Sequence, residues 1–284
     1  MGNHYKDSLF RSLFSEKTVL LDLYNSIKGT HYDETTDLVI NTLSETLFSH
    51  GKNDVSFIIN RKLIVLTEHQ STINNNMPYR FLLPVAHLFE NTITDKTMVY
   101  RKKLVKLPRP EFIVLYNGIE SYPDKKELRL STAFETEEGN DEINLELTVK
   151  VYNINKGHNE YIVERNETLS GYVGFVDMVR TYQELLQKEN PSMIREKVLR
   201  VAIIRAIEYC KKHDILVDFW KGLSNEEVNM LASEWNLEDA LAVTREEGIE
   251  EGIEIGERKI IELLRNGKTL DEIIGIIDID TQAT

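Results

Sequence analysis

The sequence predicts an α/β or α+β domain, a small mixed central sheet flanked by helices, followed by a helical C-terminal region. Three observations carry this expectation. Apolar residues near the N-terminus recur at helical spacing, residues 37–70 switch to strand composition, and the chain beyond residue 166 returns to helical periodicity. At 284 residues the chain can hold one large domain or a core domain with an accessory region. The spacing divides it into a core over residues 1–165, a helical region over 166–240 packed on or beside that core, and a Glu/Gly-rich helical tail over 241–284.

Residues 5–27 read as one helix. Leu9, Leu13, Leu20, Leu23 and Ile27 form a stripe that Phe10 and Phe14 widen, and Gly29 is the expected stop. Val55, Phe57 and Ile59 then alternate, and Leu63, Ile64, Val65 and Leu66 form an apolar run suited to a buried strand. Asn60, Arg61 and Lys62 between them read as a hairpin turn. Residues 77–92 are helical in pattern, with Pro84 expected to kink or divide the helix. The segment PEFIVLY (110–116) reads as a buried strand closed by the turn pair Asn117 and Gly118. Residues 143–154 (INLELTVKVYNI) alternate and read as a further strand. Helices are expected over 169–187, 192–212 and 225–235. The tail segment EEGIEEGIEIGE (246–257) repeats a four-residue unit; its glycines each weaken a helix by roughly 1 kcal/mol, yet its Glu residues and Ile stripe suggest an extended, solvated one. Thr269 to Glu272 has capping-box form and opens a last short helix; this end has a helix-turn-helix flavour that a packing or dimer-forming hairpin also accounts for.

Formal net charge is −13, which argues against a general nucleic-acid coat. Distribution matters more than the total. Acid concentrates over 135–142 and in the tail, whereas base concentrates at Arg61–Lys62 and at Arg101, Lys102, Lys103, Lys106 and Arg109. That second basic group is either a solvated loop or a contact to a DNA backbone. The single cysteine, Cys210, excludes an internal disulfide and a Cys-rich zinc site, and reads as a buried small hydrophobe. No apolar run approaches a membrane span, the opening MGNHYKDSLFRSLF lacks a signal-peptide stretch, and Lys6 stands where a myristoylation signal has Ser or Thr. A cytoplasmic protein without a membrane partner is expected. No Gly-rich phosphate loop occurs, so no nucleotide cofactor is expected.

The stretch NDVSFIINRKLIVLTEHQS (53–71) carries the chemistry. With a three-residue loop over Asn60 to Lys62, Ile59 faces Leu63, and the same register brings Asp54 opposite Glu68. Gln70, two residues on, shares the face of Glu68. Directly opposed residues have Cβ atoms about 5 Å apart. Two carboxylates so placed repel unless a cation sits between them, and a hard divalent ion such as Mg²⁺ takes carboxylate oxygens together with water and phosphate. Such a site suits phosphodiester hydrolysis. Gln70 would orient the attacking water or donate to the scissile phosphate, without the positive charge of a Lys. Spacing alone leaves open a plainer reading, in which Asp54 and Glu68 are polar residues at strand ends, and a loop one residue longer or shorter would slip the pairing.

Asn53-Asp54, the hairpin, and Glu68-His69-Gln70-Ser71 together resemble the ND/SD…EHQS signature of the Rpn family of recombination-promoting nucleases, often labelled transposases, which have a PD-(D/E)XK fold. Further segments resemble that family. These are Lys6 to Arg11 in the opening helix, Met77 and Arg80 after EHQS, Pro110 to Gly118, Val151 to Asn159, and the Glu/Gly-rich tail. The resemblance implies Mg²⁺-dependent DNA cleavage of low sequence specificity, with Mn²⁺ as a substitute ion, linked to recombination or mobile elements. It implies Asp54 as metal-binding acid, Glu68 as second acidic ligand, and Gln70 at the position that is Lys in most PD-(D/E)XK enzymes. The His69 backbone carbonyl, between two site residues, is a candidate further ligand.

Other residues have two readings each. The His69 side chain should point away from Glu68 and pack. Arg80 either reaches DNA phosphate or makes a structural ion pair. Asp7 either approaches the metal or marks a helix start, and Glu45 is a similar accessory acid. Arg61, Lys62, Lys102 and Lys103 are candidate DNA contacts. His158 reads as a turn residue, and Trp220 and Trp235 as core. The rival to an endonuclease is a non-catalytic interaction protein on the same fold, motivated by Gln70 and the acidity; a strand-joining transposase rests on family labels. A homodimer is expected, because a duplex break takes two such sites.

Overall fold

The computed structural model describes residues 4–41, 55–60, 63–135, 142–224, 226 and 228. The chain divides into two units, Asn3–Glu234 and Trp235–Thr284 with Met1 and Gly2, and every described residue belongs to the first. The repeat-bearing tail, Trp235 and nearly all of the helix expected over 225–235 lie outside the described residues.

Two helices stand where one was expected, α1 (His4–Leu13) and α2 (Lys17–Lys28). Glu16 takes extended backbone, φ −92° and ψ 145°, as the N-cap of α2. The Ser15 hydroxyl donates to the Ser12 carbonyl at 3.0 Å, a local bond that competes with helix continuation. The apolar stripe survives the break, since Leu9, Phe10, Leu13 and Phe14 on one side and Leu20, Leu23 and Ile27 on the other are all buried. Gly29 ends α2 in the left-handed region, φ 66°, its N–H donating to the Asn25 carbonyl at 2.7 Å.

The elements that follow are β1 (Leu38–Asn41), β2 (Val55–Ile59), β3 (Leu63–Gln70), α3 (Met77–Thr92), a 3₁₀ turn over Lys96–Tyr100, β4 (Arg109–Tyr116) and β5 (Lys125–Arg129). After a second 3₁₀ turn (Leu130–Ala133) come β6 (Thr148–Asn153), α4 (Glu160–Val163), α5 (Glu167–Glu189), α6 (Arg195–Lys212) and α7 (Val217–Gly222). The strands form one mixed sheet in the order β1-β2-β3-β4-β6-β5. β4 lies parallel to both β3 and β6, and the other pairs are antiparallel. The molecule is therefore mixed α/β.

The β2–β3 hairpin has the expected register, Ile59 opposite Leu63 and Val55 opposite Thr67. Asn60 enters its turn at φ 51°, a conformation Asn tolerates. One expectation is narrowed, one is corrected, and one strand was not expected. Of the kink or division expected at Pro84, division does not occur: α3 runs through it, and the ring itself is buried. Of residues 143–154, only Thr148–Asn153 find strand partners. The strand that pairs with them on the outside, β5, has the sequence KKELR and buries only Leu128, so it carries no apolar alternation to read.

Successive residues of β4 point to opposite faces. Phe112, Val114 and Tyr116 pack with Met77, Phe81, Val85 and Leu88 of α3 and with Leu128, Leu147, Val149 and Val151, forming one core layer. α1 packs against β3 and α5, the Phe10 and Tyr172 rings meeting edge to face at 5.6 Å. α5 packs on α6, and Trp220 of α7 is 1% exposed against Phe175, with ring centroids 5.0 Å apart. Cys210 is fully buried, as expected. Among the described residues no helix is long and apolar enough to cross a membrane.

Candidate functional site

The carboxyl ends of β3, β4 and β6 lie side by side, Gln70 beside Tyr116 and Tyr116 beside Asn153. In open α/β sheets this end is where ligands bind. The β3 backbone places Glu68 beside Val114 and His69 beside Leu115. Asp54, Glu45, Arg61 and Lys62, and the side chains of Asp7, Glu68 and His69, lie outside what is described. Among the described residues there is no group of three or more His, Cys, Asp or Glu that could hold a metal ion.

Gln70 is described. It is 8% exposed, and its Nε2 donates to the Met77 sulfur at 2.6 Å. A parallel neighbour points to the same face, so Gln70 and Tyr116 both face α3. Arg80 Nη1 lies 3.5 Å from the same sulfur, so its guanidinium comes within roughly 6 Å of the Gln70 amide. The first turn of α3 thus brings together Gln70 and Arg80, two of the expected site residues.

A second cluster stands just beyond these strand ends, and local sequence pattern gave no sign of it. Asn117 follows β4, is 1% exposed, and donates its N–H to the Gln70 carbonyl at 2.8 Å. Lys6 Nζ from α1 donates to the Asn117 carbonyl (2.9 Å) and to Oδ1 (3.3 Å). Arg180 Nη2 from α5 donates to the same two oxygens, at 2.8 and 3.0 Å, while Nη1 donates to Asn155 Oδ1 at 2.8 Å. The Asn155 amide in turn donates to the Gly118 carbonyl and to Asn153 Oδ1. Sharing acceptors holds the two cations within roughly 6 Å of each other, where like charges repel by about 3 kcal/mol at an effective dielectric of 20. Lys6 is 3% exposed and Arg180 half-buried. Lys6 and Asn117 are 111 residues apart, and only the fold juxtaposes them.

The remaining basic candidates, Lys102 and Lys103, lie between α3 and β4. Residues 96–109 contain six Lys and Arg and no acid. Lys96, Arg101 and Arg109 pair with Glu90, Asp95 and Glu111, whereas exposed Lys102, Lys103 and Lys106 have no carboxylate partner among the described residues. Tyr100 in the same strap is 91% exposed. The strap enters β4 at Arg109, beside Leu63, seven residues from the Gln70–Tyr116 pair. At about 3.3 Å per residue that is roughly 23 Å. Lys102 and Lys103 are exposed on this strap, and no described contact joins them to Gln70.

Other polar groups are structural. Tyr24 on α2 donates to Glu111 Oε2 at 3.2 Å beside the Lys28–Glu111 ion pair at 3.0 Å, and burial followed by the Glu111 charge raises its hydroxyl pKa. His158 is a turn residue as expected, its N–H bonded to the Asn155 carbonyl and Nδ1 2.6 Å from Asp124 Oδ1. Comparison of the chain with protein-family models, curated proteins and solved structures gives no match.

Proposed function

We propose that the chain is a metal-dependent DNA endonuclease of the PD-(D/E)XK type, akin to the Rpn recombination-promoting nucleases. The observation that supports this reading is the β2–β3 register. Val55 pairs with Thr67, so the described pairs follow the register from which the sequence reading sets Asp54 opposite Glu68, although Asp54 itself lies outside the described residues. The donor set fits a hard divalent ion, since both residues are carboxylates and their hairpin ends where the parallel strands present a ligand-binding edge. Asp54 and Glu68 would hold Mg²⁺, or Mn²⁺ in its place, with the His69 carbonyl as a further donor. A bound ion would supply Lewis acidity toward a phosphoryl oxygen and a water of lowered pKa.

Gln70 and Arg80 supply the rest. The Gln70 amide, oriented on the Met77 sulfur, donates toward a phosphate oxygen or the attacking water. Arg80, roughly 6 Å away, brings the positive charge that an amide lacks. Lys102 and Lys103 follow the DNA backbone away from the cut, with Arg61 and Lys62 as further contacts. In a plasmid-nicking assay with Mg²⁺, Asp54→Ala and chelation by EDTA are each expected to lower the rate at least about 10²-fold, because a metal contributes several kcal/mol. Nicking that persists in Asp54→Ala removes the site assignment.

A second reading, a non-catalytic interaction protein on this fold, draws on the buried Gln70 bonded to Met77. Calorimetric titration separates the two: the endonuclease binds Mg²⁺ or Mn²⁺ through Asp54, and the interaction protein binds neither.

A further inference from the structure

We infer that the strap of residues 96–109 is a seat for unpaired DNA, in which Tyr100 stacks on a base and Lys102, Lys103 and Lys106 hold the flanking phosphates. The choice of DNA rests on the endonuclease reading; the preference for unpaired bases rests on the strap. Tyr100 carries the inference. It is 91% exposed, and it ends a 3₁₀ turn whose backbone is fixed on both sides. The Asp95 carboxylate accepts from the Thr97 N–H at 3.0 Å and from the Thr97 hydroxyl at 2.7 Å. Arg101, the next residue after the turn, donates its guanidinium to Asp95 Oδ2 and Thr97 Oγ1, both at 3.0 Å, and its N–H to the Met98 carbonyl at 3.1 Å. The ring therefore stands in water on a braced turn, already placed for a ligand.

Tyr100 does not stand alone. Val99, Leu104 and Leu107 are exposed as well, so residues 99–107 hold four large apolar side chains in water. Scattered singly, such residues need no partner; grouped on one segment, they mark a contact surface. The charges between them set the sign of the partner. Glu90 and Asp95 are taken by Lys96 and Arg101, whereas Lys102, Lys103 and Lys106 are exposed with no carboxylate partner among the described residues. The strap holds no acid, although the chain as a whole carries −13. A ligand with negative charge and flat apolar parts answers both features. Unpaired nucleotides are such a ligand, with phosphates for the ammonium groups and a base face for the ring. Paired bases are not, because a duplex hides those faces in its own stack. An anionic lipid surface matches the charge too, but it takes apolar groups in any orientation. Here the most exposed apolar group is aromatic and braced, which is what stacking requires.

The test uses the full chain in EDTA, so binding is read without cleavage and a failed nicking assay leaves the readout intact. Fluorescence anisotropy follows a labelled single-stranded oligonucleotide and the blunt duplex of the same sequence at one salt concentration. The single strand should bind more tightly. Tyr100 packs into no core, so its variants keep the fold. Tyr100→Leu keeps an apolar group but no π face. It should weaken single-strand binding roughly tenfold, the worth of one stacked base, and leave duplex binding unchanged. Tyr100→Trp should bind the single strand at least as tightly as wild type. An abasic strand, with phosphates and no bases, should bind wild type and Tyr100→Leu alike. Single-strand binding indifferent to Tyr100→Leu overturns the stacking seat, and if the duplex still binds, the endonuclease reading stands without it. Vesicles containing phosphatidylserine form the last arm. Vesicle binding weakened in Leu104→Ser, beside oligonucleotide binding unchanged in Tyr100→Leu, overturns the assignment in favour of a lipid surface.

Discussion

Gly118 shows how tightly single residues are fixed at the strand ends. A Cβ there would overlap the Tyr116 hydroxyl and the Ser71 carbonyl. The hydroxyl is not free to retreat, because it donates to the Glu120 carbonyl at 2.9 Å. Gly118→Ala is expected to destabilise the chain by about 1–3 kcal/mol, the usual cost of overpacking. That is a fall of roughly 2–12 °C in melting temperature at this size. An unshifted melt would show that the loop gives way. Asn117 and Gly118 were legible as a turn pair from composition alone. Their further roles were not, since the Ser71 carbonyl and the two cations arrive from distant segments. Gln70 was legible as a site candidate through its spacing from Glu68, whereas its bond to Met77 depends on how α3 folds back over β3.

Among the elements, the hairpin was the most readable. Its register followed from one loop length and the alternation of Val55, Phe57 and Ile59, because period-two packing punishes any slip. The break between α1 and α2 was not readable, since Leu13 and Leu20 are seven residues apart and stay in phase with one continuous helix. β5 escaped because an edge strand with three Lys or Arg among five residues shows no apolar period. The basic strap of residues 96–109 has its own consequence. If it tracks a DNA backbone, Lys102→Glu with Lys103→Glu should weaken binding evenly across sequences. It should also flatten the slope of log affinity against log salt by about two, one for each phosphate no longer neutralised. Fluorescence anisotropy in EDTA over a NaCl series measures this, and an unaltered slope takes the strap off the DNA path.

The whole molecule should be most sensitive to alkali. Burial pushes the Cys210 thiol up to about 11, and burial is also the largest cause raising Tyr24, Tyr116, Tyr122 and Tyr152. Each group is neutral when protonated, so a folded pKa above the unfolded one contributes stability that is complete below the unfolded value and is lost as pH rises through the folded one. Unfolded Cys and Tyr titrate near 8.5 and 10. The urea midpoint should therefore hold from pH 7 to about 8.5 and decline beyond it. A midpoint level to pH 11 would contradict the burial of these groups. The lowered carboxyls of Asp33, Glu90 and Glu146 are fully exposed and should contribute little at the acid end. The outer strand β5 bears on how copies of the chain can associate. Its open edge reads Lys125, Lys126, Glu127, Leu128, Arg129. Two such edges meeting antiparallel about a twofold axis at Glu127 would set Glu127 against Glu127 and Lys125 against Arg129, like charges directly opposed. Continuation of the sheet from one molecule into the next across that border is disfavoured, which guards it against fibrous aggregation.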